Sequence, residues 1–328
     1  MQAVVVEKPG GPEVLRLQEV EDVHPQRGEV RVRVRATAVN RADLLQRAGK
    51  YPAPPGCTAD IPGLEYAGEV DEVGDDYGPL KVGDRVFGLV PGGSYAQHVI
   101  VHARTASRIP EKLSFEEASA LPEAAITAYD AMVSQCALKS GEFVLITGAA
   151  SGVGITAAQI AHALGAKCIG ITRSASKSKR LLEDRFFDEV IVDDGRAYSK
   201  EVLRTTSGAG ADVVLELVGG HYLQEDLNCI ARGGRIIIVG LLAGAACELN
   251  LGAVLSKRIT IKGTSLRARP IEEKMAVAQL FSKHVVPLIE SGAVKPFIDA
   301  TFPLSEAGKA HSFLESNESF GKVVLIVP

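Results

Sequence analysis

Residues 142–154 read Glu142-Phe143-Val144-Leu145-Ile146-Thr147-Gly148-Ala149-Ala150-Ser151-Gly152-Val153-Gly154, and this stretch decides the fold. Its apolar half predicts a strand ending at Thr147, and residues 155–164 then read as a helix closed by Gly165. Strand, glycine turn and helix in that order aim a helix N-terminus, with its unpaired N–H groups and positive dipole end, out of the tip of a sheet. Small residues in the turn let a pyrophosphate come close to the backbone. Gly and Ala also make ordinary tight turns, but a second strand follows the helix on schedule. The combination selects dinucleotide binding, with Ala150, Ser151, Gly152, Val153 and Gly154 as candidate contacts.

The second strand, residues 167–172, is an apolar run suited to a buried parallel sheet. NAD sites carry an acidic residue near its end to hold the ribose 2′-hydroxyl. Here Thr172, Arg173 and Ser174 occupy that place, and Lys177, Lys179 and Arg180 follow. Gathered cations without a carboxylate suit a 2′-phosphate, so NADPH is expected over NADH. The plainer alternative is a solvated basic helix start.

At 328 residues the chain is long enough for about two domains. With 46% hydrophobic residues and mean hydropathy +0.12, it can bury sizeable cores. A net charge of −4 speaks against a nucleic-acid protein. No run approaches the ~18 apolar residues of a membrane span, and residues 1–6 lack the pattern of a signal peptide. Cys57, Cys136, Cys168, Cys229 and Cys247 form no CxxC pair and no disulfide spacing, which predicts a reducing setting, the cytoplasm. The seven histidines show no metal-ligand spacing and no nucleophile–base pairing.

The chain changes character near residue 114. Residues 29–38 alternate apolar and charged side chains, the mark of a half-buried antiparallel strand whose arginine row faces solvent. Further strands are predicted at 66–73, 84–90 and 95–101. Ser114 and Glu117 form a capping-box pattern that opens a different regime. From 143 to 263, strands at 143–147, 167–172, 189–193, 212–217, 235–239 and 259–263 alternate with helices, the pattern of a doubly wound parallel sheet. A long helix at 271–289, a strand near 297–302, a helix at 305–316 and a last strand at 322–327 complete the chain. The predicted architecture is α/β: a Rossmann domain over 118–267 and a β-rich domain built from 1–117 and 268–328.

Several stretches carry a resemblance: Lys8-Pro9-Gly10-Gly11-Pro12-Glu13, Asn40-Arg41-Ala42-Asp43-Leu44, Gly49-Lys50-Tyr51-Pro52-Ala53-Pro54-Pro55-Gly56, Pro62-Gly63-Leu64-Glu65, Val82-Gly83-Asp84-Arg85-Val86, Leu121-Pro122-Glu123-Ala124 and Gly321-Lys322-Val323-Val324-Leu325. The whole chain resembles the zinc-independent quinone oxidoreductases (zeta-crystallin-like) among medium-chain dehydrogenase/reductases, most of all the p53-inducible type. The resemblance implies a GroES-like catalytic domain and a site in the cleft between the two domains. It also implies a homodimer joined through Rossmann edge strands, for which residues 249–265 would supply the edge strand. Two positions depart from the family signature: Ser151 replaces a glycine, and His162 a small or basic residue.

In zinc-dependent relatives a cysteine and the histidine of a Gly-His-Glu triplet hold the metal. Asn40 and Leu64 stand there in this chain, and residues 90–110 contain no cysteine for a structural zinc loop. No metal is expected. Without a Lewis acid, alcohol oxidation is disfavoured, and reduction of a quinone or an activated C=C bond remains. The resemblance places Asn40, Asp43 and Tyr51 at the acceptor, with the Tyr51 hydroxyl as the hydrogen-bond donor to the carbonyl oxygen. Tyr51 also reads as a tyrosine in a Pro-rich surface turn, and Asp43 as a helix cap. Thr127, Tyr129, Gly240, Leu241 and Asn317 are implied on the cofactor side. Asp193 and Asp194 run against a 2′-phosphate, because their charge would repel it. An enone reductase and a low-turnover NADPH-binding protein remain as alternatives on the same fold.

Overall fold

The glycine turn lies at the head of a six-stranded parallel sheet in the computed structural model, which describes residues 1–75, 78 and 80–328. The strands are Phe143–Thr147, Lys167–Thr172, Glu189–Val192, Ala211–Glu216, Ile230–Ile238 and Thr260–Gly263. Across the sheet they run third, second, first, fourth, fifth, sixth, the order of a doubly wound dinucleotide-binding fold with its reversal beside the first strand. Leu145, Ile169, Val214 and Ile236 are fully buried in the sheet, as expected for strands covered on both faces.

A second sheet of seven strands forms the other unit, around Glu29–Val39. That strand pairs antiparallel with Glu65–Val73, His98–His102 and the C-terminal strand Lys322–Ile326. The alternation at 29–39 buries Val30, Val32 and Val34. Its arginine row is not simply solvated: Arg31 pairs with Asp71 at 2.9 Å, and Arg35 with Glu69 at 2.7 Å, across the neighbouring strand. Contacts divide the chain into one unit of 1–126, 266–290 and 296–328, and another of 127–265 and 291–295. The short return of 291–295 belongs with the Rossmann unit because Gln159 exchanges hydrogen bonds with both backbone groups of Lys295, at 3.1 and 2.8 Å.

Several expected boundaries shift. The helix after the glycine turn begins three residues earlier, at Gly152, because the Ser151 hydroxyl caps it by accepting from the Gly154 N–H. The 249–265 segment is not one strand. Asn250 accepts from the Ala253 N–H and starts the helix Leu251–Lys257, and Arg258 at φ 57° stops it before the strand Thr260–Gly263. The 271–289 helix contains a wider π turn at Phe281–Val285. Pro287 follows in the next turn, lacks an N–H and crowds the carbonyl four residues back. The capping box at Ser114 and Glu117 forms as expected, with bonds of 3.1 and 2.9 Å. The hairpin of Gln2–Val6 with Leu15–Glu19 had no clear alternation to announce it.

Inside the Rossmann unit, Glu216 and Asp226 are both fully buried. Glu216 accepts from the Thr147 hydroxyl at 2.8 Å and the Gly219 N–H at 2.6 Å, and Tyr198 donates to Asp226 at 2.6 Å. One oxygen of each acid, Oε2 and Oδ2, has no partner among the described residues. A proton on Asp226 shared between the two acids satisfies both orphans. Burial, and then the Glu216 charge, accordingly push the Asp226 carboxyl well above its ordinary range. Its contribution to stability is fully present below the unfolded-state value near 4 and is lost as pH rises towards the folded value. Asp226→Asn, which keeps a donor on Glu216 without a charge, should therefore melt higher than the parent protein at pH 8 by about 1 kcal/mol or more. Thermal melts should show that gap closing by pH 4.

Candidate functional site

Register builds the first half of the site. Val323 lies opposite Val39, which brings Lys322 beside Asn40 at the end of the central strand. The Lys322 ammonium donates to Glu65 Oε1 and Asn40 Oδ1, both at 2.6 Å, while Asn40 Nδ2 donates to the same Glu65 oxygen at 2.8 Å. The second Glu65 oxygen accepts from the Glu123 N–H at the start of the helix Pro122–Tyr129. Glu65 is fully buried and Lys322 nearly so, making this a dry ion pair with its acceptors filled. Asn40 thus has both ends of its amide engaged and works as a brace.

Asp43 is a hub of the same kind. It is fully buried, accepting from the Asn40 N–H at 2.7 Å and the Gly63 N–H at 3.1 Å. Burial outweighs these bonds and pushes its carboxyl up to about 7. Behind it, Arg47 can only donate, so His311 Nδ1 accepts from it at 3.4 Å and Nε2–H is left to donate to the Tyr95 oxygen at 3.1 Å. The Tyr95 hydroxyl then points at Asp43, 3.5 Å away. Burial, and then the Arg47 charge, lower His311 to about 3, consistent with a neutral ring at every ordinary pH. Half-buried Glu123 is pushed up to about 8 by burial and the nearby Glu65 charge.

Tyr51 differs from these braces. It is half-buried, and its hydroxyl makes no hydrogen bond among the described residues. Its ring lies under the guanidinium of Arg267, 4.9 Å from carbon to centroid, and its carbonyl accepts from the same group at 3.1 Å. Sequence reading missed Arg267, Lys322 and Glu123. Only the proximity of segments hundreds of residues apart reveals the first two, and Glu123 reads as an ordinary first-turn acid.

The glycine turn expected to meet the cofactor's phosphates is in the Rossmann unit. A Cβ on Gly154 would sit 2.7 Å from the Ala149 carbonyl, so only glycine lets the helix start this close to the strand. Gly152 and Val153 head the helix, where an N–H has no partner within it. At the end of the fifth strand, a Cβ on Gly240 would meet the Leu217 carbonyl at 2.1 Å, and neighbouring Leu241 is 55% exposed. Thr172 accepts from the Ser174 N–H, and Ser174 caps the helix Ala175–Glu183 through the Lys177 N–H at 3.3 Å. Arg173 is exposed and has no ion pair among the described residues, whereas Lys179 and Arg180 face Glu183 and Asp184. The two aspartates are occupied: Asp193 accepts from the Gly195 and Arg196 N–H groups at 2.7 Å each, and Asp194 pairs with Arg196 at 3.1 Å. Both aspartates therefore have partners within their own loop.

Thr127 is buried and Tyr129 half-buried, both in the helix Pro122–Tyr129, while Asn317 sits on the surface at φ 59° and accepts from Arg41. A cavity of about 350 Å³ lined by Gln159, His162, Arg185 and Lys295 opens at the far end of the helix Gly152–Ala163, away from its N-terminus. His162 also comes together with Cys168 and Asp188, whose possible ligand atoms lie within 4.8 Å of one another, which histidine spacing had not suggested. His162 already bonds Asp188 at 3.0 Å, and burial pushes the Cys168 thiol above the ordinary range of a thiol. That trio is a packing contact.

These features define an oxidoreductase of the medium-chain dehydrogenase/reductase class. Residues 26–111 match the alcohol dehydrogenase GroES-like domain, and residues 187–325 match the family described as zinc-binding dehydrogenase. The quinone oxidoreductase of Sus scrofa is 34% identical over the whole chain and 98% of its own length. The structure of Escherichia coli quinone oxidoreductase complexed with NADPH superposes with a TM-score of 0.88 at 31% identity, covering 99% of this chain and all of that one. A structure described as an NAD-dependent alcohol dehydrogenase reaches 0.86 at 30% identity over the full length of both chains. The chain belongs to the quinone oxidoreductase family of medium-chain dehydrogenase/reductases.

The buried ion pair makes a sharp prediction. Lys322→Met should cost about 3–5 kcal/mol by stranding the Glu65 charge. Adding Glu65→Gln should recover part of that loss in a denaturant-unfolding cycle.

Proposed function

We propose that this protein is an NADPH-dependent, zinc-independent reductase that passes hydride from the nicotinamide to a quinone. The observation that carries the reading is the Tyr51 hydroxyl, which has no hydrogen-bond partner among the described residues and lies beside a buried guanidinium, in a site whose other polar groups are braced. That hydroxyl is free to donate to a carbonyl oxygen as it gains charge. Asn40 and Asp43 serve the reaction by holding the surrounding backbone. Hydride and one proton together convert a quinone to its hydroquinone, and solvent supplies the proton.

Zinc independence is supported by the chemistry of the side chains. Neither the Asn40 amide nor Leu64 replaces a thiolate or imidazole, and the Lys322 ammonium already neutralises Glu65. The Ala150–Gly154 turn, with Gly240 and Leu241, would take the pyrophosphate and nicotinamide side of the cofactor, with Thr127, Tyr129 and Asn317 assigned to the same cofactor. Thr172, Arg173, Ser174 and Lys177 would hold the 2′-phosphate, and the unpaired Arg173 cation is the reason for preferring NADPH. With all five cysteines free, the cytoplasm is the compartment proposed.

A second reading, enone reduction, rests on the same hydroxyl, since the oxygen of a conjugated enone accepts from Tyr51 equally well. Nicotinamide absorbance, followed with NADPH and an ortho-quinone, a para-quinone or an enone, separates them. Turnover with enones alone would replace quinones in the proposal, and none with any acceptor would leave a binding protein. Arg173→Ser should raise the KM for NADPH roughly 10-fold, about 1.4 kcal/mol, and leave that for NADH nearly unchanged. Tyr51→Phe should lower kcat with little effect on cofactor binding.

Assembly follows from the sheet edge. Thr260–Gly263 is the terminal strand, bonded on one side, and Leu251 and Leu255 nearby are 72% and 81% exposed. We infer a homodimer joined along this edge. Light scattering of Leu251→Glu/Leu255→Glu should then give a monomer mass where the parent gives a dimer.

A further inference from the structure

Arg267 is 7% exposed, and its guanidinium has no ion-pair partner among the described residues. Its Nε donates to the Pro91 carbonyl at 2.7 Å, one terminal nitrogen to the Tyr51 carbonyl at 3.1 Å, and the other to Gln46 Oε1 at 2.5 Å. All three acceptors are neutral, and no carboxylate lies within ion-pair distance among the described residues. Burying a guanidinium this way is costly, and burial lowers its pKa from the usual arginine value, yet an arginine stays protonated. The acidic groups that face it are Asp43, Cys57 and Glu123, and burial pushes the Asp43 and Glu123 carboxyls up towards their neutral forms. Lys274 also faces it and adds positive charge.

The contacts converge on one loop. Gln46 passes the tether on by donating to the Ala59 carbonyl at 3.0 Å, so one side chain ties the end of the helix Arg41–Arg47 and the turn at Pro91 to both sides of the proline-rich stretch 51–59. That stretch has no regular secondary structure of its own to fix the Tyr51 ring. A flat guanidinium against an aromatic face fixes ring orientation as well as position.

We propose that Arg267 is a positioning residue of the acceptor site: it sets the angle of Tyr51 and leaves an unneutralised positive charge at the ring face, where the acceptor oxygen becomes negative as hydride arrives. This rests on the assignment of Tyr51 as the acceptor-facing hydroxyl. A tether that merely stabilised the loop would need neither the ring contact nor a lasting charge.

The test uses the full-length protein with carbon-13-labelled tyrosine, the Tyr51 signal being assigned by its loss in Tyr51→Phe. In Arg267→Met the Tyr51 signal should shift while those of Tyr66 and Tyr198 stay in place. The same variant should lose about 10²-fold in kcat, the scale of a misplaced catalytic contact, with the KM for NADPH unchanged. Arg267→Lys, which keeps the charge and loses the planar fork, should recover part of kcat. An unmoved Tyr51 signal, or equal kcat in the Lys and Met variants, overturns the proposal. If Arg267→Met does not fold, Arg267→Lys decides alone: a shifted Tyr51 signal with a reduced kcat supports the role, and parent values for both refute it. Failure of the parent protein to reduce any quinone or enone would sink the functional reading instead, and the Tyr51 signal would still report on the tether.

Discussion

The ammonium of Lys322, buried on Glu65 and Asn40, organises the catalytic unit. It anchors the C-terminal strand at the end of Glu29–Val39, fixes the amide of Asn40, and through Glu65 holds the first turn of the helix at Pro122. An ion pair this dry gains little against an apolar replacement, but breaking one side is expensive, so it works as a specification of register more than as a source of stability. A one-residue slip of the last strand would turn Lys322 to the opposite face of the sheet and leave Glu65 alone.

Around that pair the site divides by function. Asp43, Asn40, Glu65 and the Tyr95–His311–Arg47 chain use their hydrogen-bonding capacity on one another. Tyr51 and Arg267 leave capacity over, a hydroxyl without an acceptor and a cation without an ion-pair partner among the described residues. Preorganised polar groups of the first kind cost nothing at the moment of reaction, and groups of the second kind are where a substrate can make a difference.

The sequence made the Rossmann half legible because each of its signals is local. The 142–154 stretch, the missing acid at Arg173 and the alternation of strands with helices are all read within a few tens of residues. Tyr51 was legible as a residue but ambiguous as a role, since a tyrosine in a proline-rich turn looks the same in either case. Arg267 and Lys322 were not legible, because their meaning comes from partners 216 and 257 residues away. The 249–265 segment shows a different failure: its edge strand was legible at 259–263 and forms at Thr260–Gly263, but the helix Leu251–Lys257 ahead of it, started by the single cap Asn250, was not read. Asp193 and Asp194 looked like a charge problem, and the backbone N–H groups that Asp193 accepts from and the Arg196 side chain that pairs with Asp194 are invisible to residue-type reasoning.

The way the chain is threaded has a consequence for synthesis. Neither unit is a continuous piece, and the central strand Glu29–Val39, already flanked by Glu65–Val73 and His98–His102, gains its third neighbour only when residues 322–326 have been made. During translation the Rossmann unit can close once residue 295 is out, while Glu65, already bonded to Asn40 and the Glu123 N–H, waits for its cation until Lys322 emerges. A nascent chain halted before residue 322 would therefore carry one finished half and one exposed sheet edge, the kind of surface that chaperones retain and proteases find.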